Sequence, residues 1–250
     1  MTARVEMGHL LLLAGTAEAR ALASRLSEIP GLKVTASLAG VTSEPAPIAA
    51  ETRRGGFGGA GGLAEYLRTH AIAAVIDATH PFAARMATNA ALACAATATP
   101  RLRLIRPPWQ PVGEWRDLPD LAAAAAALPA GAYALLTTGR KEIAPFAERA
   151  DLRCLLRVIE PVQNLPPHIT QLTARPPFSL DDEIALMRAH AITHLVSKNA
   201  GGPGRAKLDA AAQLAIPILM VERPAPPPGP FATSVSEAVA WATETVGIGA

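Results

Sequence analysis

Five short stretches hold the residues that could do chemistry, and four of them follow an apolar run. The first, Gly15-Thr16-Ala17-Glu18-Ala19-Arg20, comes after Leu10–Leu13. Gly15 would let the backbone approach a pyrophosphate, with amides around Thr16 and Ala17 facing it from a helix start. The full G-x-G-x-x-G spacing is absent, so by itself the stretch also reads as a plain tight turn. The second, Arg54 to Gly62, has six glycines in nine residues and reads either as a loop that wraps a ligand in bare backbone or as a linker. The third, Asp77-Ala78-Thr79-His80-Pro81-Phe82, ends an apolar run and places Pro81 in the first turn of a helix, so that Asp77 and His80 project at a ligand edge. A lone histidine there is more often a hydrogen-bonded structural residue than a proton donor.

The last two stretches, Thr137-Thr138-Gly139-Arg140-Lys141 and Ser197-Lys198-Asn199-Ala200-Gly201-Gly202-Pro203-Gly204-Arg205-Ala206-Lys207, are small-polar, glycine-rich and cationic. The second holds Lys198, Arg205 and Lys207 with no acid before Asp209, which predicts an anion-binding rim in place of a merely solvated face. A dinucleotide site that prefers the unphosphorylated cofactor usually ends its second strand in an acid. Here that strand runs into Ser37-Leu38-Ala39-Gly40 with none, which favours NADPH.

Other chemistries find no footing. The six histidines form no helix-borne metal pair; His190 and His194 have the spacing but straddle an expected helix end and strand start. No G-x-S-x-G elbow occurs. Cys94 and Cys154 lack the spacing of a zinc or redox pair and read as buried free thiols of a reducing compartment.

Positioning these stretches requires strands and helices in alternation. Strands are expected at Leu10–Leu13, Lys33–Leu38, Ala73–Asp77 and Leu102–Ile105, with helices over Glu18–Glu28, Leu63–Thr69 and Pro81–Ala96. The strands are nearly all apolar, so both faces are covered, as in a parallel sheet between helix layers. Three prolines in the five residues Pro107–Pro111 mark a boundary. Beyond it the cadence restarts: helix Leu118–Leu128, strands Tyr133–Thr137 and Leu155–Ile159, helix Leu180–His190, strand Thr193–Ser197, helix Lys207–Leu214 and strand Pro217–Val221. A helix over Val235–Thr243 closes the chain. The expected fold is α/β, with two Rossmann-like three-layer domains of parallel sheet, residues 1–110 and 111–250.

Composition fits that architecture. The chain has 250 residues, 50% hydrophobic and only 18% charged, too apolar for a disordered chain. Aromatics are 4% while alanine supplies about a fifth, small units that let helices lie close to a sheet. The net charge of +2 is too small for a protein that grips duplex phosphates, so no nucleic-acid partner is expected. The apolar run at Leu10–Ala14 is too short for a secretory core and reads as a first strand, and no segment reaches the about 18 apolar residues of a membrane span. A cytoplasmic protein without membrane partners is expected.

Taken together and in this order, Gly15-Thr16-x-Glu18-Ala19-Arg20, Gly55-Gly56-Phe57-Gly58-Gly59, Asp77-Ala78-Thr79-His80-Pro81-Phe82, Thr137-Thr138-Gly139-Arg140-Lys141 and Ser197-Lys198-Asn199-x-Gly201-Gly202 with Lys207 resemble the precorrin-6A reductase family of cobalamin biosynthesis. The resemblance implies NADPH-dependent reduction of one carbon–carbon double bond of precorrin-6A, a tetrapyrrole fringed with carboxylate arms, at an interdomain cleft. It implies a cofactor set of Gly15, Thr16, Glu18, Ser37, Gly40, Gly56, Phe57, Gly58, Asp77, Ala78, Thr79, His80, Thr138 and Gly139. It implies substrate contacts from Arg20, Arg140, Lys141, Lys198, Asn199, Gly201, Arg205 and Lys207, with His80 and Lys198 as catalytic candidates and no metal. Substrate could arrive free or by hand-over from a neighbouring pathway enzyme. Two departures stand out: Ala14 replaces a frequent glycine, and Pro176-Pro177-Phe178 stands where glycine-proline-phenylalanine is expected. A methyltransferase using S-adenosylmethionine and a non-catalytic dinucleotide sensor are the rival classes; the cationic second-half loops argue against the sensor.

Overall fold

A computed structural model of the chain describes residues 8–38 and 47–247. The first unit comprises β1 (Gly8–Leu13), α1 (Ala17–Ser27), β2 (Leu32–Leu38), β3 (Glu51–Arg54), α2 (Gly59–Thr69), β4 (Ala74–Asp77), α3 (Ala84–Thr97) and β5 (Arg101–Leu104). The second comprises β6 (Trp115–Leu118), α4 (Leu121–Ala127), β7 (Tyr133–Leu136), α5 (Ala144–Ala147), β8 (Arg153–Val158), β9 (Ile169–Thr173), α6 (Leu180–Ala189), β10 (His194–Lys198), α7 (Ala206–Gln213) and β11 (Ile218–Val221). The chain then returns to the first unit with β12 (Phe231–Ala232) and α8 (Val235–Val246). Among the described residues each unit has a six-stranded, all-parallel sheet, ordered β12-β5-β4-β1-β2-β3 and β6-β11-β10-β7-β8-β9.

The two orders share a plan. In each sheet the first strand of the wind (β1 or β7) has its two successors on one side and the next two on the other, so strand order reverses at β1/β4 and at β7/β10. The sixth strand is exchanged: β6, next in sequence after β5, joins the second sheet, and β12, next after β11, joins the first. The reversal points matter for function because loops there diverge to opposite faces and leave a crevice at the strands' carboxyl ends.

Central strands are buried on both faces, which is why they read as continuous apolar runs. Leu10 to Leu13 are at most 2% exposed, as are Leu135, Leu136, Leu195 and Val196 in the second sheet. Strand positions therefore agree with the sequence in the middle of each sheet. The strands that sequence patterning misses are β3, β6, β9 and β12, the four edges. Edge strands face solvent and carry polar or few residues, such as Glu51-Thr52-Arg53-Arg54 in β3, so they have no apolar signature to detect. The helix expected to start at Leu118 begins at Leu121 instead, because Leu118 closes β6.

Two further expectations change. The boundary falls between Arg106 and Pro107, and residues 224–250 belong with the first unit, not the second. α8 sets Ala238 and Ala242, both fully buried, into the core of Leu10, Leu12, Leu22 and Leu26, while β12 pairs with β5. Pro81 is not in the first turn of α3; it lies in a turn closed by Ala83 N donating to His80 O at 2.8 Å, and the helix starts at Ala84. Ala14 is buried, lies outside the positive-φ residues and donates its N–H to Ser37 O at 2.9 Å, so alanine costs that turn nothing. Among the described residues no helix is long and apolar enough to cross a membrane.

Helix α2 starts inside the glycine run, with Gly58 as its N-cap at φ +79°. A Cβ on Gly62 would stand 1.8 Å from the Phe57 carbonyl oxygen, whereas one on Gly61 meets nothing within 4 Å. Gly62→Ala should therefore destabilise the protein by about 1–3 kcal/mol. Gly61→Ala should stabilise it by up to about 1 kcal/mol. Urea midpoints of the two variants test this sign difference. Cys94 and Cys154 are buried free thiols, and burial pushes each up to about 11. A disulfide reagent at pH 8 should titrate neither in the native protein and both after denaturation.

Candidate active site

At the carboxyl edge of the first sheet, β1 turns through Gly15 at φ +143° into α1, and Thr16 caps that helix. The Thr16 hydroxyl accepts from Ala19 N at 3.1 Å and donates to Ala78 O at 2.9 Å, while Ala78 N donates to Leu13 O at 2.9 Å. These bonds cross the β1/β4 reversal point and bring Gly15, Thr16, Ala78 and Thr79 together. A Cβ on Gly15 would meet no atom within 4 Å, so the turn opens to space that a ligand can take. A shallow recess beside it is lined by Thr16, Glu18, Thr79, Pro81 and Arg106. Glu18 does not point out freely: its carboxylate accepts from Arg106 at 2.6 Å.

Asp77 departs from the expectation of a ligand-facing acid, because its side chain is fully buried. Its Oδ1 accepts from the Thr79 amide at 3.1 Å and the Thr79 hydroxyl at 2.6 Å, and its Oδ2 lies 3.9 Å from the Arg103 guanidinium. An acid at the end of a central strand is drawn back by the Thr79 amide and hydroxyl and by a buried cation, so it shapes the Asp77–His80 turn from behind. His80 is half-buried, and its Nδ1 accepts from Phe82 N at 3.3 Å. That bond puts the neutral ring's proton on Nε2.

A second group forms where β2 and β3 end. Ser37 is 6% exposed and its hydroxyl accepts from Arg53 at 2.8 Å; the same guanidinium donates to Gly55 O and Gly56 O and lies 3.8 Å over the Phe57 ring. Ser37, Gly55, Gly56 and Phe57 are thus held together by a residue that the sequence reading passed over, although Arg53-Arg54 immediately precede the glycines, and Gly58 follows as the N-cap of α2. Gly40, also in the expected cofactor set, lies outside the described residues.

In the second unit the β7 and β10 ends are joined by Thr137 Oγ1 donating to Ser197 Oγ at 3.0 Å. Thr138 is buried with its hydroxyl unpartnered, and Gly139 follows at φ +105°. Three of the cations here face acids, two of them distant in sequence. Lys198 donates to Glu142, Arg140 to Glu160 at 2.7 Å, and Arg205 to Asp209 at 2.9 Å. Lys207 sits 4.4 Å over Trp109 and donates to Gly204 O at 2.6 Å, while Lys141 is exposed. Asn199 is occupied with the chain itself, accepting from Trp109 N at 2.8 Å and donating to Trp109 O at 3.2 Å. Gly201 is required by packing, since a Cβ would stand 2.1 Å from Pro107 O. Arg20 is exposed on α1 of the first unit, its guanidinium 3.3 Å from Thr16 O. Among the described residues no three His, Cys, Asp or Glu side chains cluster in a form that could hold a metal.

A family model described as precorrin-6x reductase CbiJ/CobK matches residues 9–243. The chain is similar to precorrin-6A reductase of Rhodococcus erythropolis, 48% identical over 94% of this chain and 97% of that protein. It is 42% identical to precorrin-6A reductase of Rhodobacter capsulatus, covering 94% of this chain and 96% of that one. Among solved structures, CobK precorrin-6A reductase superposes with a TM-score of 0.90 at 40% identity, covering 96% of this chain and 97% of that one. With reversal-point turns in both units and a family match over nearly its whole length, the chain belongs to the precorrin-6x reductase (CbiJ/CobK) family.

Proposed function

We propose that this chain reduces one carbon–carbon double bond of precorrin-6A to give precorrin-6B, with NADPH as the electron source, in cobalamin biosynthesis. Membership of a reductase family makes it an oxidoreductase acting on a CH–CH group and implies a nicotinamide dinucleotide. The observation that carries the reading is that each sheet ends, at its own reversal point, in a glycine-bearing turn, and the second of these turns is cationic. The methyltransferase and sensor readings have no comparable support.

The first unit's residues suit a dinucleotide. Gly15 offers open backbone beside the α1 N-terminus, a place where amide N–H groups and the helix dipole favour a pyrophosphate. Thr16, already committed to Ala78 O and Ala19 N, contributes by rigidity more than by its own hydroxyl. A reduced nicotinamide, when bound, supplies a hydride to one carbon of the double bond, and the neighbouring carbon takes a proton. Lys198 and His80 are the proton-donor candidates on this chain. Glu142 holds the Lys198 ammonium, and the Phe82 amide holds His80 with Nε2–H as its donor. Arg140, Lys141, Lys198, Arg205 and Lys207 supply the positive edge for the substrate's carboxylates, where a charge-assisted bond contributes roughly 1.5–3 kcal/mol. Orientation of two large reactants is the main contribution asked of the protein and can lower a barrier by about 7–11 kcal/mol. Two thiols left free support a reducing, cytoplasmic setting.

The direct test mixes the purified protein with NADPH and precorrin-6A and follows cofactor oxidation together with a product mass gain of two hydrogens; no oxidation would refute the assignment. Lys198→Ala should raise the apparent KM for the tetrapyrrole about tenfold or more while moving that for NADPH little. Equal effects on both would place Lys198 outside the substrate edge. Gly15→Val puts a branched side chain at a positive φ in the space expected for the pyrophosphate, so titration of intrinsic fluorescence with NADPH should show binding weakened by at least about tenfold.

A further inference from the structure

Lys207 stands where a helix does not favour a cation. It lies in the first turn of α7, whose N-cap is Arg205, and the positive end of a helix dipole opposes an ammonium there. The acid of that turn, Asp209, is paired with Arg205. Two contacts hold the half-buried Lys207 nonetheless: its ammonium sits 4.4 Å over the Trp109 ring and donates to Gly204 O at 2.6 Å. Helix stability does not account for a cation kept at this place, whereas a ligand that carries carboxylates does.

Trp109 is suited to set that position because it is itself fixed. It is buried and belongs to the same core cluster as Leu208, Ala211 and Met220. Its main chain pairs with the Asn199 side chain, the amide donating to Oδ1 at 2.8 Å and the carbonyl accepting from Nδ2 at 3.2 Å, and its indole N–H donates to Gly202 O at 2.7 Å. Gly201 and Gly202 both have positive φ and lie outside helix and strand, so their carbonyls depend on donors from elsewhere. A phenylalanine would fill the same core space, but it would leave Gly202 O without this donor and offer the ammonium a weaker face. The next carbonyl, Gln110 O, accepts from Arg205 at 3.1 Å. The loop with Lys198 before it and Lys207 at its end thus touches one residue at Asn199, at Gly202 and at Lys207 itself.

We propose that Trp109 is a positioning residue for substrate binding, its ring face and indole N–H fixing the Lys207 ammonium where a carboxylate arm of the tetrapyrrole meets it. The inference rests on the substrate edge given under Proposed function and adds to it a residue that acts through Lys207.

Steady-state kinetics of the full-length protein with NADPH and precorrin-6A test it. Trp109→Phe should raise the KM for the tetrapyrrole about fivefold or more and leave that for NADPH within about twofold. A merely structural role would lower the amount of folded enzyme, and with it the apparent kcat, without moving either KM. With Lys207→Met already in place, Trp109→Phe should change the tetrapyrrole KM by less than about twofold, because the ammonium it positions is gone. Both KM values moving equally, neither moving, or the same rise in both backgrounds overturns the proposal. Should Trp109→Phe fail to fold, NMR of the wild-type protein decides. After isotope-labelled dimethylation of Lys33, Lys141, Lys198 and Lys207, the Lys207 methyl signal, assigned with Lys207→Arg, should lie upfield of that of Lys141 through the indole ring current and move when precorrin-6A is added. A Lys207 signal without the upfield shift, or one that the tetrapyrrole leaves in place, overturns the proposal. A wild-type protein that oxidises no NADPH with precorrin-6A defeats the reductase reading itself, whereas turnover with an unchanged tetrapyrrole KM in Trp109→Phe defeats only the role of Trp109.

Discussion

The arrangement of the first unit depends on one hydroxyl. Thr16 caps α1 and reaches across to the Ala78 carbonyl, so the turns leaving β1 and β4 are joined where the strand order reverses. Behind that join stands β1, whose four consecutive leucines are almost wholly excluded from solvent. A strand so buried cannot slip, because a one-residue shift would change every partner in its two parallel ladders. The rigidity of the core is thereby passed to a turn that presents bare backbone beside a helix N-terminus.

Charge is handled differently in the two units. In the first, acids near the edge are turned inward or neutralised: Asp77 is buried against Arg103, and Glu18 is paired with Arg106. The edge keeps open backbone at Gly15 and the guanidinium groups of Arg20 and Arg53. In the second, cations stand at the rim, but Arg140, Lys198 and Arg205 each have an acid of the same unit beside them. Such pairs are partly exposed, so each is held with modest energy.

How much of this was legible in the sequence follows from burial. Central strands, with both faces covered, have no freedom to be polar, and their apolar runs and glycine turns placed Gly15, Thr16, Thr138, Lys198 and the α/β class without coordinates. Edge strands escape that demand, so all four were invisible, and with β3 went Arg53. The ordered motifs, from Gly15-Thr16 to Ser197-Lys198, were together enough to indicate the family, although each alone was weak.

Local sequence by itself determined which segments are strands at the heart of a sheet, which of them end in glycine-bearing turns, and the reductase family, because these rest on short-range patterns of apolar and glycine residues. Only the tertiary structure decided that residues 224–250 complete the first unit, that Asp77 faces the core, that Asn199 and Gly201 serve Trp109 and Pro107, and that Lys198 meets Glu142. Those outcomes depend on contacts between residues far apart in the chain, where one buried charge or one unfilled sheet edge selects its partner by geometry, and no window of neighbouring residues carries that information.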